Sequence, residues 1–261
     1  MPTSVFMYSE KLASFDYGEG HPFKPIRALT TLELCNRFGL LYDPGVGMAE
    51  PVPTTTEVLA TFHEDAYLGM LQRADRCEHD QAMLERGIGT EDCPLVPGLY
   101  SFALLATGAT LDCAALVASG KATRAFNLVG GFHHAGRDHA EGFCYVNDVC
   151  VALNRLVAEG RRVAFVDLDA HHCNGVQDAF WEDDRVLVVS LHQSGDTIYP
   201  GTGFETEIGA GRGRGFTVNV PLAPHTDDEI YLSAFRQVVP PVLRAFGPDL
   251  VIAEIGADTM E

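Results

Sequence analysis

The sequence predicts an α/β layered fold, a mostly parallel sheet with helices on its faces, and three observations carry that expectation. Val163–Leu168 and Val186–Leu191 are nearly continuous apolar runs rich in valine, the composition of parallel strands covered on both faces. Segments with helical spacing alternate with such runs, as in Val146, Val149, Cys150, Leu153, Leu156 and Val157. Three strand-type runs then end in residues rich in His and Asp, and ligands of open α/β sheets collect at the carboxyl ends of the strands.

Taken in order, Ser4–Tyr8 reads as a short strand and Ile26–Phe38 as a helix, with shorter helices over Glu57–Phe62 and Ala66–Ala74. Leu99–Val117 is a long helix. Its most apolar stretch, Phe102–Ala118, carries Asp112 with several Thr and Gly residues and is read as buried, not as a membrane span. Asn127–Val129 is a short strand feeding Gly130-Gly131-Phe132-His133-His134. The helix that starts near Val146 ends at Gly160, a C-terminal cap. A short helix that closes over Asp178–Trp181 separates the two valine-rich strands. The glycine-rich stretch Gly209–Gly215 lacks the Lys-Ser/Thr ending of a phosphate loop and is read as a flexible connection. Phe216–Val220 is a strand, Asp227–Phe246 a helix and Leu250–Ile255 the last strand.

At 261 residues, 46% of them hydrophobic, the chain can bury a sizeable core, and no repeat or break in composition marks a boundary; one domain over residues 1–261 is expected. A formal charge of −18 argues against direct nucleic-acid binding and is compatible with attraction of cationic substrates. No basic start followed by an apolar core opens the chain, so neither a signal peptide nor a membrane anchor is expected. Seven cysteines, odd in number and without a CxxC pair, fit a reducing cytoplasm better than a disulfide framework.

The chemistry sits at the strand ends. Asp169 and His171, two apart just past a strand, can point the same way, and Asp258 arrives from another strand end. Two carboxylates and one imidazole suit a zinc ion with an open coordination position. His133 and His134 are then candidates for general base and electrostatic partner, with Asp167 and Asn174 as orienting groups. A lone His is usually a structural residue, but four imidazoles and three carboxylates cluster after strands in a chain with ten His in total. His63, His79, His139 and His225 are assigned no role, and Cys173 is noted for its closeness to the cluster.

These motifs, in order, resemble the zinc-dependent histone deacetylase family, including its bacterial acetoin-utilisation and acetylpolyamine deacetylase-like members. The resemblance runs from His21-Pro22-Phe23-Lys24-Pro25-Ile26-Arg27 through Glu91–Pro94, Gly130–Ala135, Gly142–Asp148, Asp167–Gly175, Val189–His192 and Tyr199–Gly203 to Gly256–Thr259. It implies a three-layer arginase/deacetylase-like fold and hydrolysis of an N-acetyl-amine, either acetyl-lysine in protein or an acetylated small amine.

It further implies zinc ligands Asp169, His171 and Asp258, with His134 as general base and His133, paired with Asp167, in electrostatic support and protonation of the leaving amine. Asn174 stands where the family has Asp or Asn, so it would hydrogen-bond His134 without a charged dyad and leave it less basic. Phe143 and Tyr199 resemble the aromatic walls of an acyl-lysine tunnel with Gly142 beside them, and Asp92 the rim carboxylate. A potassium ion bound mostly by carbonyl oxygens of Asp167, Asp169, His171, Ser190 and Leu191 is also implied.

Cys173 departs from the family's usual Gly. The chain ends at Glu261, before the glycine-rich loop whose Tyr serves the oxyanion in the family, so it is expected to be C-terminally incomplete. One alternative is a ureohydrolase of the arginase or agmatinase type. Its second metal, however, needs a carboxylate two residues after the His, where Cys173 stands, and an Asp-x-Asp pair where the chain has Gly256-Ala257-Asp258. The other alternative is a non-catalytic protein that recognises acetylated amines.

Overall fold

The computed structural model describes residues 3–259. The chain folds as two compact units, Met1–Asn154 and Arg155–Glu261.

The first unit runs β1 (Ser4–Met7), α1 (Glu10–Ala13), α2 (Arg27–Arg37), β2 (Val46–Ala49), α3 (Thr56–Leu59), α4 (Asp65–Ala74), α5 (Gln81–Glu85), α6 (Leu99–Ala118), β3 (Arg124–Asn127) and the start of α7 (Asp148–Ala158). Its sheet has the order β2-β1-β3, all parallel. The sequence does not reveal β2, because Val-Gly-Met-Ala carries no strand pattern of its own. Pairing of Ser4–Met7 with Val46–Ala49 makes it a strand. β3 lies three residues earlier than expected. The Asn127 side chain accepts from Val129 N (3.1 Å) and donates to Val129 O (3.0 Å), which turns the chain out of the sheet at the point where the strand was expected to begin. α6 is long and apolar enough to cross a membrane by length and composition. Its first half, Leu99 to Ala109, is largely core, as expected, whereas its second half is mostly half-buried. Cys113, Ala114 and Ala115 there are small, so their partial exposure costs little, and Leu111, Leu116 and Val117 stay half-buried.

The second unit holds β4 (Val163–Asp167), α8 (Asn174–Ala179), β5 (Val186–Gln193), β6 (Thr217–Leu222), α9 (Asp228–Phe246) and β7 (Leu250–Glu254), with the parallel order β6-β5-β4-β7. β4 is buried along its whole length and β5 up to His192, as their valine runs predict. Ala164, Val166, Leu187, Val189 and Leu191 pack on Val239 and Phe246 of α9. That helix opens with Asp227 accepting from Ile230 N (2.9 Å), runs through Pro240 and Pro241, and stops at left-handed Gly247. α8 closes at Ala179, within the expected Asp178–Trp181, and it begins where the chain turns at Cys173, whose carbonyl accepts from Gln177 N (2.9 Å). The parallel α/β character read from the sequence is what forms, and it forms as two sheets. Hydrophobic runs report strands, not which strand each one pairs with.

Candidate active site

In the first unit the chain leaves β3 and turns through Gly130–Phe132 into His133 and His134. The turn is built by a carboxylate: Asp148, at the start of α7, accepts from Gly131 N (3.1 Å) and Phe132 N (2.8 Å) and from the Thr110 hydroxyl. Burial pushes the Asp148 carboxyl up, against the pull of these donors. The two imidazoles that follow are buried, their rings 4.1 Å apart and their Nε2 atoms 3.0 Å apart. At that distance one Nε2 carries the hydrogen and its partner accepts it, so the pair is arranged to share a proton.

Opposite His134 lies Gly142, with φ +53°. A Cβ there would sit 2.4 Å from His134 Cδ2, so only glycine lets the backbone lie against the imidazole. Phe143 follows with φ +70°, a left-handed conformation unusual for an aromatic residue, and its carbonyl accepts from Tyr17 Oη (2.9 Å). The Phe143 ring meets the His21 ring edge-on at 4.8 Å. His21 Nδ1 accepts from Phe23 N (3.1 Å), which leaves Nε2 to donate to the Asp92 carbonyl (3.1 Å). His21 thereby anchors the backbone of exposed Asp92. The far end of the segment is tied by Asn147, whose Nδ2 donates to Ala135 O (3.0 Å) and whose N–H donates to His63 Nε2 (3.0 Å). His63 is buried and its pKa falls to about 4, first through desolvation, so it is a neutral strut. Asp148, Tyr17 and His63 shape this half of the site, and the sequence alone assigns them no role. Their partners lie from 16 to 126 residues away, so no local pattern reveals them.

In the second unit the loop after β4 supplies the metal-type donors. Asp167 accepts from Asp169 N (3.0 Å), and Asp169 from His171 N (2.7 Å), two successive carboxylate turns that turn the loop back on itself. Asp258, past β7, accepts from Ala170 N (3.1 Å) and from His171 Nδ1 (2.9 Å), and Asp169 also faces His171 Nδ1 at 3.1 Å. One donor atom each from Asp169, His171 and Asp258 lies within 4.8 Å of the others. Hydrogen bonding to Asp169 and then Asp258 raises the His171 pKa to about 9. Burial of Asp258 works against ionisation, but His171 and the Ala170 N–H outweigh it and bring its pKa to about 2. The donors fit a divalent ion: hard oxygens and one imidazole converge, and Gly256 leaves the space in which a Cβ would sit 1.8 Å from Asp169 Oδ2. The Tyr199 ring lies 6.3 Å from that of His171.

His172 turns away from the donors. Its Nε2 donates to Gln177 Oε1 (3.0 Å) and its Nδ1 accepts from Thr202 Oγ1 (2.8 Å). Desolvation, then His192, lowers its pKa to about 4. His192 in turn takes the Ser190 hydroxyl at Nδ1 (2.8 Å) and donates from Nε2 to Gly203 O (2.9 Å). Both imidazoles hold the segment after Tyr199 in place and neither is a ligand, which removes one of the four imidazoles from the cluster. Cys173 is buried, with its thiol pushed well up by burial and by Asp167, so it is a packing group, not a nucleophile. Of the remaining residues, Asp167 and Ser190 are register partners across β4 and β5, Leu191 is buried beside them, and Asn174 opens α8.

Known proteins resemble this chain over nearly its whole length. The histone deacetylase domain family matches residues 21–261. Histone deacetylase 19 of Arabidopsis thaliana is 38% identical over 98% of this chain and 51% of its own length, and human histone deacetylase 1 is 36% identical over 98% and 53%. The chain thus spans about half the length of the curated relatives it matches. The crystal structure of an HDAC homolog from Aquifex aeolicus superposes with a TM-score of 0.91 at 33% identity, covering 99% of this chain and 69% of that one. An HDAC homolog complexed with SAHA superposes equally well, at 32% identity.

Proposed function

Because the chain belongs to the histone deacetylase family, we propose that it is a zinc-dependent amidohydrolase that removes acetyl groups from N-acetylated amines, either acetyl-lysine in proteins or an acetylated small amine. The observation that carries this reading is the convergence of Asp169, His171 and Asp258, whose donor atoms lie within 4.8 Å of one another. Held by these three, zinc would supply Lewis acidity toward an amide carbonyl and toward water. His134 takes the proton from the attacking water, and His133 stabilises the resulting charge and delivers a proton to the leaving amine. The 3.0 Å contact between their Nε2 atoms supports this division of labour. Asp167 and Asn174 complete the proposed catalytic set, and Asp92, Gly142, Phe143 and Tyr199 the substrate-contacting one. Potassium on the carbonyls of Asp167, Asp169, His171, Ser190 and Leu191 belongs to the same reading and carries no step.

The family match crosses both compact units, which supports reading them as parts of one deacetylase-type domain. Its proposed setting is a reducing cytoplasm, in keeping with seven cysteines not bonded to one another.

Incubating the zinc-loaded protein with an acetyl-lysine peptide and with an acetylated polyamine tests the proposal by release of acetate. Acetate release from either supports it. Tight binding of an acetylated amine without turnover would make the protein a binding module, and urea release from a guanidino substrate by a parallel manganese-loaded sample holding two ions per chain would make it a ureohydrolase.

A further inference from the structure

The loop Gly136–Glu141 of the first unit holds a charge cluster that the proposed mechanism does not use. His139 faces a carboxylate with each ring nitrogen: Nδ1 lies 2.9 Å from Asp138 Oδ1 and Nε2 lies 3.3 Å from Glu141 Oε2. A neutral imidazole has one N–H, so only the doubly protonated ring donates to both. The loop is built around that ring. Gly136 N donates to His139 O (3.0 Å), and a Cβ on Gly136 would fall 2.1 Å from His139 Cε1. Asp138 is pinned from outside by Arg86, just past α5, whose Nη1 also donates to the Asp138 carbonyl (3.1 Å). Ala140 N donates to Arg86 O (2.8 Å), and Glu141 and Cys144 exchange backbone hydrogen bonds of 3.1 and 2.8 Å. Those last two residues bracket Gly142 and Phe143, the left-handed pair that lies against His134. A left-handed aromatic residue is strained, and such strain persists only where the surroundings hold it.

We propose that His139 is a positioning residue, a cationic clasp that closes the Gly136–Glu141 loop and thereby holds Gly142 against His134 and Phe143 in its substrate-facing place. The charged and titratable groups around it are Asp138, Glu141 and Arg137 from its own loop, Arg86 from beyond α5, and His63 from beyond α3, which stays neutral. Hydrogen bonding to Glu141 first, with Asp138 behind it, outweighs partial burial and raises the His139 pKa to about 9. The clasp is therefore closed at neutral pH and opens as pH rises through about 9. Its effect on turnover rests on the deacetylase reading; its effect on the loop does not.

The test follows the zinc-loaded full chain from pH 6 to pH 10.5 by NMR and hydrogen exchange, for wild type, His139→Gln and Glu141→Gln. In wild type the His139 ring should titrate near 9, and amide protection over residues 136–144 should fall about tenfold or more once that proton leaves. His139→Gln should show the lowered protection already at pH 7. Glu141→Gln should move the ring's titration down toward 6.5 and carry the protection step with it. With an acetyl-lysine peptide, KM should rise more than kcat falls in both variants, and the break in kcat/KM near pH 9 should shift in Glu141→Gln and vanish in His139→Gln. Should His139→Gln fail to fold, Glu141→Gln carries the same readouts. A His139 that titrates near 6.5, or protection indifferent to pH and to both variants, overturns the clasp, as does hydrolysis with an unchanged pH profile in both. If the ring and the loop behave as described but no acetylated substrate is cleaved, the clasp stands and the deacetylase reading fails.

Discussion

The two units prepare their reactive side chains in opposite ways. In the first, His133 and His134 are only 4% and 6% exposed, on a turn whose backbone donors are satisfied by a buried carboxylate and whose flanks are tied down by Tyr17, Asn147 and His63. In the second, the side chains of His171 and Asp258 are 29% and 40% exposed, and the donors are placed largely by one another: two carboxylates share the Nδ1 proton of one imidazole. The first arrangement is pre-organised by packing, as suits a base that must keep its aim. The second is a charge cluster whose geometry depends on what sits among the donors, as suits a metal site.

That contrast predicts separable losses. Asp169→Ala and His171→Ala should each abolish tight zinc binding, about one ion per chain in the parent protein, and reduce deacetylation to background, because three ligands leave none to spare. His134→Ala should retain zinc yet lower kcat on an acetyl-lysine peptide by at least about 10²-fold. Elemental analysis beside kinetics reads both. Undiminished zinc in the two ligand variants, or full kcat in His134→Ala, would erase the distinction between the units.

A smaller effect sharpens it, because each unit carries a glycine against a reactive group. Gly256→Ala would put a methyl 1.8 Å from Asp169 Oδ2, and the cluster can yield only by moving a ligand. Zinc affinity should fall roughly 10- to 100-fold with little change in thermal stability, the range seen when groups that orient ligands are disturbed. Gly142→Ala meets the His134 ring in a buried site and adds strain at φ +53°. It should cost about 1–3 kcal/mol of stability while leaving zinc bound. Calorimetry and zinc titration of the two variants distinguish these outcomes, and equal losses of both properties would contradict the contrast.

How much of this the sequence shows depends on how far each determinant lies along the chain. β4 and β5 are legible because burial on both faces leaves an unbroken apolar run, and α9 because its stripe continues through Pro240 and Pro241. β2 is a strand only by virtue of β1, and β3 is displaced by a side-chain turn at Asn127. At the site, Asp169 and His171 are legible as neighbours after a strand and Asp258 as a carboxylate after another. The sequence cannot separate His171, which meets two carboxylates, from His172 beside it, which turns to Thr202 and Gln177. Nor does it show that His139, with carboxylates on both sides, differs from His79 or His225, since the pairing appears only once the loop is closed.

The remaining expected effect concerns acid. His63 in the first unit and His172 in the second both have pKa values near 4, chiefly because burial disfavours the imidazolium, and in the unfolded chain both return to about 6.5. Each is neutral in the fold, so its contribution to stability is fully present above pH 6.5 and is lost as pH falls toward 4, by roughly 3 kcal/mol apiece at most. His192, lowered by burial as well and tilted against His172 with rings 4.9 Å apart, adds to the loss in the second unit only. Denaturation of the metal-free chain between pH 7 and pH 4.5, followed by hydrogen exchange, should therefore show the second unit losing protection at higher pH than the first. His172→Gln should flatten the dependence in the second unit, and His63→Gln in the first. If both units lose protection together, with slopes the substitutions do not change, burial of neutral imidazoles is not what sets acid stability here, and the contrast between the units is confined to their reactive groups.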